Sequence, residues 1–255
     1  MTVALVGLTR RTAKRGKAEW HVYQWNGGPE MTGVTTHIGV LNKPGVVDWM
    51  KKLTAETAVD KRLLIPEWIE TGGREGAIAL LAGAADKVRN DAGDLGTRVH
   101  ALLEAVARGQ DVTLTPEEEP FVAAFRAWCA ERNPEFIATE FMVYSEKHEY
   151  GGTADVLLKL DGETWLVDYK TSGGVYPETA LQLVALGRAD WAGAPGNPRK
   201  FRIPKSRYGI LHVRPEGVTL YEAHITDEEW EVFLACRRIY GWLRGHAKQV
   251  LKEVA

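Results

Sequence analysis

The spacing of apolar residues changes several times along the chain. Met1 to Leu8 is almost wholly apolar and forms a candidate strand. Arg10, Arg11, Lys14, Arg15 and Lys17 follow, with no acid among them. His21 to Trp25 alternates as a second short strand, closed by Gly27-Gly28. From Thr35 the spacing is helical, with a break at Lys43-Pro44-Gly45, and Val46 to Asp60 resumes as an amphipathic helix. Pro66 is suited to start another helix, Gly72-Gly73 to stop it, and Glu75 to Asn90 is a third. Asp94 opens the next, which runs to Arg108-Gly109. Its apolar stripe is Val99, Leu102, Leu103 and Val106, with His100 at the edge and Glu104 one turn on. Thr115 as N-cap, Pro116 in first position and acids to Glu119 begin a helix that reaches Glu131 and stops near Pro134.

Strand spacing takes over at Phe136–Tyr144, which contains Glu140, and continues through Thr153–Lys170. Asp161-Gly162 inside that stretch is a two-residue hairpin turn signal. With the turn there, Asp155 faces Asp168 and Thr153 faces Lys170, all four on one face of the ribbon. Ala154, Val156, Leu158, Leu160, Trp165, Val167 and Tyr169 make the opposite, core face. A three-residue turn including Glu163 would shift this register. Pro177 begins a helix to about Leu186 that carries Gln182, and a Gly/Pro-rich insert with Arg199, Lys200, Arg202, Lys205 and Arg207 follows. Tyr208–Val213 and Val218–Glu222 form a second hairpin, and Thr226-Asp-Glu-Glu229 is a capping box for the last helix. Helices around a central run of strands, with one helix crossing between strands, predict an α/β sheet with helices packed on it.

Composition narrows the possibilities only a little. The chain has 255 residues, 45% of them hydrophobic, and a net charge of -2, so a nucleic-acid partner would be held by local basic patches, not by global charge. Two distant cysteines, Cys129 and Cys236, cannot supply a four-thiolate zinc or iron–sulfur site. The apolar start is too short for a membrane span and its charges follow it, unlike a signal peptide, which fits a cytoplasmic protein.

The chemistry lies in the hairpin. Two carboxylates opposed across a ribbon repel each other, and a divalent cation is the natural compensation, with Lys170 as a neighbouring positive charge. Carboxylates suit Mg²⁺ or Mn²⁺, and an imidazole can join for Mn²⁺. Such a site hydrolyses phosphodiesters: the cation polarises the phosphoryl oxygen and acidifies a water, and lysine orients that water or stabilises developing charge.

Gly96-Thr-Arg-Val-His100 on a helix, Gly152-Thr-Ala-Asp155, Asp168-Tyr-Lys170-Thr-Ser and the later helix with Gln182 together resemble the PD-(D/E)XK nuclease superfamily, in its RecB-like exonuclease branch. Val34 to Pro44 resembles phage-encoded members. The resemblance implies a restriction-endonuclease-like mixed sheet flanked by helices, with residues 1–92 as an N-terminal helical region and 93–255 as the nuclease core. It implies His100, Asp155, Asp168 and the backbone carbonyl of Tyr169 as ligands of one or two Mg²⁺ or Mn²⁺ ions. Lys170 is then the catalytic lysine and Gln182 a residue near the scissile phosphate. Glu104 and Glu140 are further candidates for the metal, and the 199–207 cluster for DNA. Two departures stand out. Leu186 occupies the place where the branch often has Tyr, and the chain lacks the cysteines of its iron–sulfur members. The expected activity is a DNA exonuclease acting on single strands or duplex ends in recombination, repair or phage DNA processing, with a possible recombination or helicase partner. The alternatives are a structure-specific endonuclease of the same superfamily and an inactive DNA-binding accessory.

Overall fold

The computed structural model describes residues 7–15, 18–194, 197 and 199–251. In chain order the elements are β1 (Leu8–Arg15), β2 (Ala18–Trp25), β3 (Met31–Gly33), α1 (Val34–Ile38), α2 (Pro44–Asp60), α3 (Ile65–Ala107), α4 (Glu119–Arg132), β4 (Glu135–Ser145), β5 (Tyr150–Leu160), β6 (Glu163–Lys170), α5 (Glu178–Gly187), β7 (Trp191–Gly193), β8 (Arg207–Arg214), β9 (Gly217–Glu222), α6 (Asp227–Arg244) and α7 (Ala247–Val250). The expected mixed sheet flanked by helices is what these elements build. The path is β1-β2-β3-β5-β6-β8-β9, with β4 against β5 and β7 against β4. The β3–β5 and β6–β8 pairs are parallel and the others antiparallel. No described helix is long and apolar enough to cross a membrane.

The chain forms two compact units. One comprises the residues up to Leu41 and from Val99 on; the other is Asn42–Arg98. The first strand, expected over residues 1–8, is instead Leu8–Arg15, so Arg10 to Arg15 lie on β1 at the edge of the sheet, while residues 1–6 and 16–17 lie outside the described residues. Within the second unit, α2 and the first part of α3 expose many apolar side chains, among them Val47, Trp49, Ile69 and Leu80.

Local signals explain most boundaries and two corrections. Gly73 interrupts α3 at φ 69°, as a glycine stop should, but the helix resumes at once and then runs unbroken to Ala107. The expected boundary between Asn90 and Asp94 does not exist, since a lone Gly93 weakens a helix without ending it. Helix α4 starts at Glu119, not Pro116. Residues 116–118 form a turn instead, in which the Thr115 carbonyl accepts from the Glu118 and Glu119 amides. The capping box of Thr226 and Glu229 opens α6 as read.

The hairpin β5–β6 is the centre of the molecule. Asp161 and Gly162 have φ of 51° and 82°, the left-handed pair of a type I′ turn. Pairing runs from Leu160↔Glu163 to Val156↔Val167, in the two-residue register, not the three-residue one. Both faces are covered. Leu157 and Leu166 share a core with Leu183 and Val184 of α5, while Tyr169 packs against Phe125 of α4. Ala154 belongs to the same cluster as Leu157, three residues away, so the strict alternation expected through Asp155 fails there.

Gly151 and Gly152 are demanded by packing. A Cβ on Gly151 would sit 2.5 Å from the Tyr23 side chain, and one on Gly152 would sit 2.6 Å from Leu186 Cδ2. Gly151→Ala is therefore expected to lower stability by about 1–3 kcal/mol, the usual cost of an overpacked core. Urea unfolding measures it, and an unchanged midpoint would refute the close approach of β2 and β5.

Candidate active site

Three strands compete for β5. β4 follows one edge along nearly its whole length, from Ser145↔Tyr150 to Glu135↔Lys159. The other edge is shared: β3 takes Tyr150 and Gly151, and β6 takes Val156 onward. Between them Gly152–Asp155 has no paired strand on that side. The carboxyl ends of β3 and β6 approach this notch from opposite directions, and ligands gather where sheet strands end in this way.

Asp155 occupies the notch. Neither neighbouring ladder pairs with it, because β6 stops at Val156 and β4 skips from Thr139↔Val156 to Phe141↔Ala154. The register is unchanged across this gap, so the residue opposite Asp155 is Glu140, whose φ of 44° departs from strand geometry. Asp155 Oδ2 instead accepts the Tyr169 amide at 2.7 Å, a bond that a strand carbonyl would otherwise make. The predicted face-to-face pairs Asp155–Asp168 and Thr153–Lys170 are thus absent as ladder partners. The inserted carboxylate splays the hairpin open.

Asp168 is only 2% exposed. Its Oδ1 accepts from Gln182 Nε2 at 2.7 Å, and its Oδ2 is ion-paired with Lys170 Nζ at 2.5 Å. Gln182 is thus held on the Asp168 carboxylate. His100 stands on the last turns of α3, its Nδ1 3.6 Å from Asp155 Oδ2 and its ring edge-on to Tyr169 at 6.0 Å. The backbone group of Tyr169 engaged with Asp155 is its N–H.

Burial, then the charge of Asp168, pushes the Asp155 carboxyl well above the usual carboxylate range, against the opposing pull of Lys170 and the Tyr169 amide. Burial also lowers the His100 pKa, which favours the neutral imidazole that a metal requires. The Glu140 carboxyl is raised by burial and by Glu104, with Arg10, Arg108 and His21 working the other way. Glu104 itself is ion-paired with Arg108.

Among the described residues, no three His, Cys, Asp or Glu side chains converge tightly enough to enclose a cation. The donor chemistry nevertheless fits a hard divalent ion. The buried Asp168, the half-buried Asp155 and a neutral imidazole border one notch, and the surroundings of Asp155 resist its ionisation.

Several participants escaped the sequence reading. Arg10 Nη1 donates to Thr153 Oγ1 at 3.1 Å, and the Tyr23 hydroxyl lies 3.1 Å from the same oxygen. Alternation in β1 and β2 groups Arg10 with Tyr23 and His21 on one face, but nothing local says that this face borders β5.

The basic cluster divides. Lys200 Nζ lies 3.9 Å and the Arg202 guanidinium 4.7 Å from the Trp191 ring centroid. Trp191 pairs with Tyr144, which stacks on Trp25 at 5.2 Å. Tyr144 and Glu140 point the same way on β4, roughly 13 Å apart at about 3.3 Å per residue. Arg207 does not belong to this group. It pairs with Glu222 and covers Trp165, at the opposite end of β6 from Lys170. Lys205 is exposed, and the Arg199 amide donates to Asn197 Oδ1 at 2.9 Å.

No protein-family model matches the chain, and no curated protein matches it. Among solved structures, the crystal structure of SSO0001 aligns with 64% of this chain and 65% of its own, at 17% identity and a TM-score of 0.34. This chain thus spans just under two thirds of that protein, and a likeness this loose carries no argument about fold or activity.

A raised carboxyl is a stability statement. Below about pH 4 Asp155 is protonated both folded and unfolded, and nothing is lost. As pH rises the unfolded chain ionises first, so native stability falls until the folded carboxyl also ionises. Asp155→Asn keeps an oxygen for the Tyr169 amide and removes the charge. In EDTA at pH 7.5 it is expected to melt above the wild type, by about 2–4 °C for each kcal/mol relieved. Mn²⁺ should raise the wild-type Tm and leave the variant unmoved. A wild type indifferent to Mn²⁺ would refute a cation at this notch.

Proposed function

We propose that this chain is a divalent-metal-dependent deoxyribonuclease, with exonucleolytic action as the favoured mode and recombination, repair or phage DNA processing in the cytoplasm as its setting. One observation carries the reading. Asp155, Asp168 and Lys170 of the hairpin and His100 of α3 border one break in a buried sheet, where neither ladder pairs with Asp155. A purely structural polar face would be solvated or fully paired.

Asp155, Asp168 and His100 would hold Mg²⁺ or Mn²⁺. When bound, that ion supplies Lewis acidity at the phosphoryl oxygen and a more acidic water. Gln182 keeps the Asp168 carboxylate turned toward the notch. Lys170, with its ammonium on Asp168, carries positive charge to the position where charge builds up on the phosphoryl group. Water adds to phosphorus, the bond to the leaving sugar oxygen breaks, and a proton passes to that oxygen. Arg10, exposed beside Thr153, is available to a phosphate on the same face. Further along that face, Lys200 and Arg202 lie over Trp191 and offer charge to the backbone of a bound strand.

Asp168→Ala and Lys170→Ala are each expected to lower cleavage of end-labelled DNA in Mn²⁺ by about 10²-fold or more, with the fold retained. EDTA should abolish cleavage by the wild type, and a covalently closed circle should be spared. Cutting of the circle would replace exonuclease by endonuclease, and retained cleavage by pure Asp168→Ala would overturn the mechanism.

Neutralising Lys200 and Arg202 should weaken DNA binding in Ca²⁺ and reduce the salt-dependence slope by about 1 per lost phosphate contact. An unchanged slope would remove this patch from the DNA path.

A further inference from the structure

A second feature of the sheet-bearing unit takes no part in the proposed hydrolysis. A cavity of about 830 Å³ lies beside the β2–β3 turn. Its wall includes Trp25 and Tyr144 from the sheet, His37 from α1, and Arg237, Tyr240 and Trp242 from α6. Glu30, Glu146, Glu149 and Arg238 also border it, so the wall mixes aromatic and charged side chains around a space of the size that small organic molecules occupy.

Glu30 of this wall pairs with Arg11 and Glu149 with Arg237, but other polar atoms of the wall lack partners. Seven buried side-chain N or O atoms among the described residues have no hydrogen bond, and four of them belong to three residues of this one cavity: both ring nitrogens of His37, the Tyr144 hydroxyl and Arg237 Nε. His37 is only 4% exposed and Tyr144 fully buried. Each such atom costs on the order of 1–3 kcal/mol if nothing ever satisfies it, and folded proteins keep few of them. Their concentration around one space points to a partner that enters that space.

Burial and then Arg237 push the His37 pKa down to about 4, so the ring is neutral at pH 7 and offers one donor and one acceptor. Burial raises the Tyr144 hydroxyl to about 12, so it keeps its proton and offers both functions too. Arg237 adds a donor at Nε, while its Nη2 is already bonded to Glu149 at 2.7 Å. The set is balanced between donors and acceptors and asks for no net charge. Trp25, Tyr240 and Trp242 line the same space. An aliphatic ligand would leave the polar atoms unmet, and a bare anion would find the Arg237 charge already taken.

We propose that this cavity binds a nucleobase, carried by a nucleotide, between its aromatic rings and the edge formed by His37, Tyr144 and Arg237. A nucleobase is a flat ring with alternating donors and acceptors on its rim, which is the complement of this wall. Arg238, exposed at the cavity, can meet the attached phosphate. The nucleotide comes either free from solution or as part of a strand. The strand source rests on the nuclease reading. Tyr144 then holds a base on the same face of β4 as the notch, roughly 13 Å away, and the cavity anchors the strand being cut. The nucleobase chemistry itself does not depend on that reading.

Calorimetric titration of the full chain tests the site. The four deoxynucleoside monophosphates and a single-stranded hexanucleotide are titrated in EDTA, so that no metal ion recruits phosphate to the notch. At least one mononucleotide should bind saturably. His37→Phe and Tyr144→Phe should each raise its Kd tenfold or more, and Asp168→Ala should leave it unchanged. His37→Phe should melt no lower than the wild type, since it replaces an unpartnered imidazole by a ring of similar shape. Absence of saturable binding by all four, or equal affinity in both Phe variants, overturns the proposal. A hexanucleotide that binds more tightly than the mononucleotide, and is weakened by the same substitutions, assigns the strand as source; equal affinity assigns the free nucleotide. Cleavage in Mn²⁺, assayed on the same samples, separates the two readings. A chain that cuts DNA but binds no nucleotide loses only the cavity, and one that binds nucleotide but cuts nothing loses only the nuclease.

Discussion

The Asp155 carboxylate sits inside a sheet that would otherwise be continuous, and its single bond to the Tyr169 amide organises what surrounds it. A strand carbonyl in that position would close the ladder between β5 and β6. A carboxylate there opens it, since the side chain fills space that the partner backbone would need. Glu140 yields on the opposite edge by adopting φ 44°. The result is a notch two to four residues long in the middle of a packed structure, flanked by His100 on one side and by Asp168 and Lys170 on the other.

Such an arrangement is expensive in a low-dielectric interior, where an unmatched carboxylate is strongly disfavoured. The chain answers with Lys170 on Asp168 and an amide on Asp155, which leaves the Asp155 carboxyl raised. Stability alone would be served better by apolar residues at both positions. The surrounding core, with Leu157, Leu166, Leu183, Tyr150 and Phe125 fully buried, is large enough to tolerate the strain. Gly151 and Gly152 contribute by letting β2 and α5 come close to β5 at the notch. Rigid packing around a destabilised polar centre is the usual relation between scaffold and reactive site.

The same sheet face carries two further chemistries: the cations over Trp191 and the polar-lined cavity beside Tyr144. Their common origin is alternation. Glu140, Met142 and Tyr144 point the same way on β4, and Arg10, Tyr23 and Trp25 point that way on β1 and β2. One strand face therefore lines up an acidic notch, a basic residue beside it and an aromatic platform farther on.

Local pattern was enough for much of this. The Asp161-Gly162 turn, the register of β5 against β6, the capping box at Thr226 and the grouping of Asp168 with Lys170 all depend on residues close in sequence, whose geometry is dictated by backbone sterics and strand period. What the pattern could not supply was decided by long-range packing. The place of β1, with its basic run, at the edge of the sheet, the bond of Gln182 on α5 to Asp168 on β6 and the removal of Arg207 to the far end of β6 each turn on contacts between different elements. The failure of alternation at Asp155 is the clearest case. A period of two holds only while a strand is paired, and whether β5 is paired at that residue depends on where β3, β4 and β6 end in space.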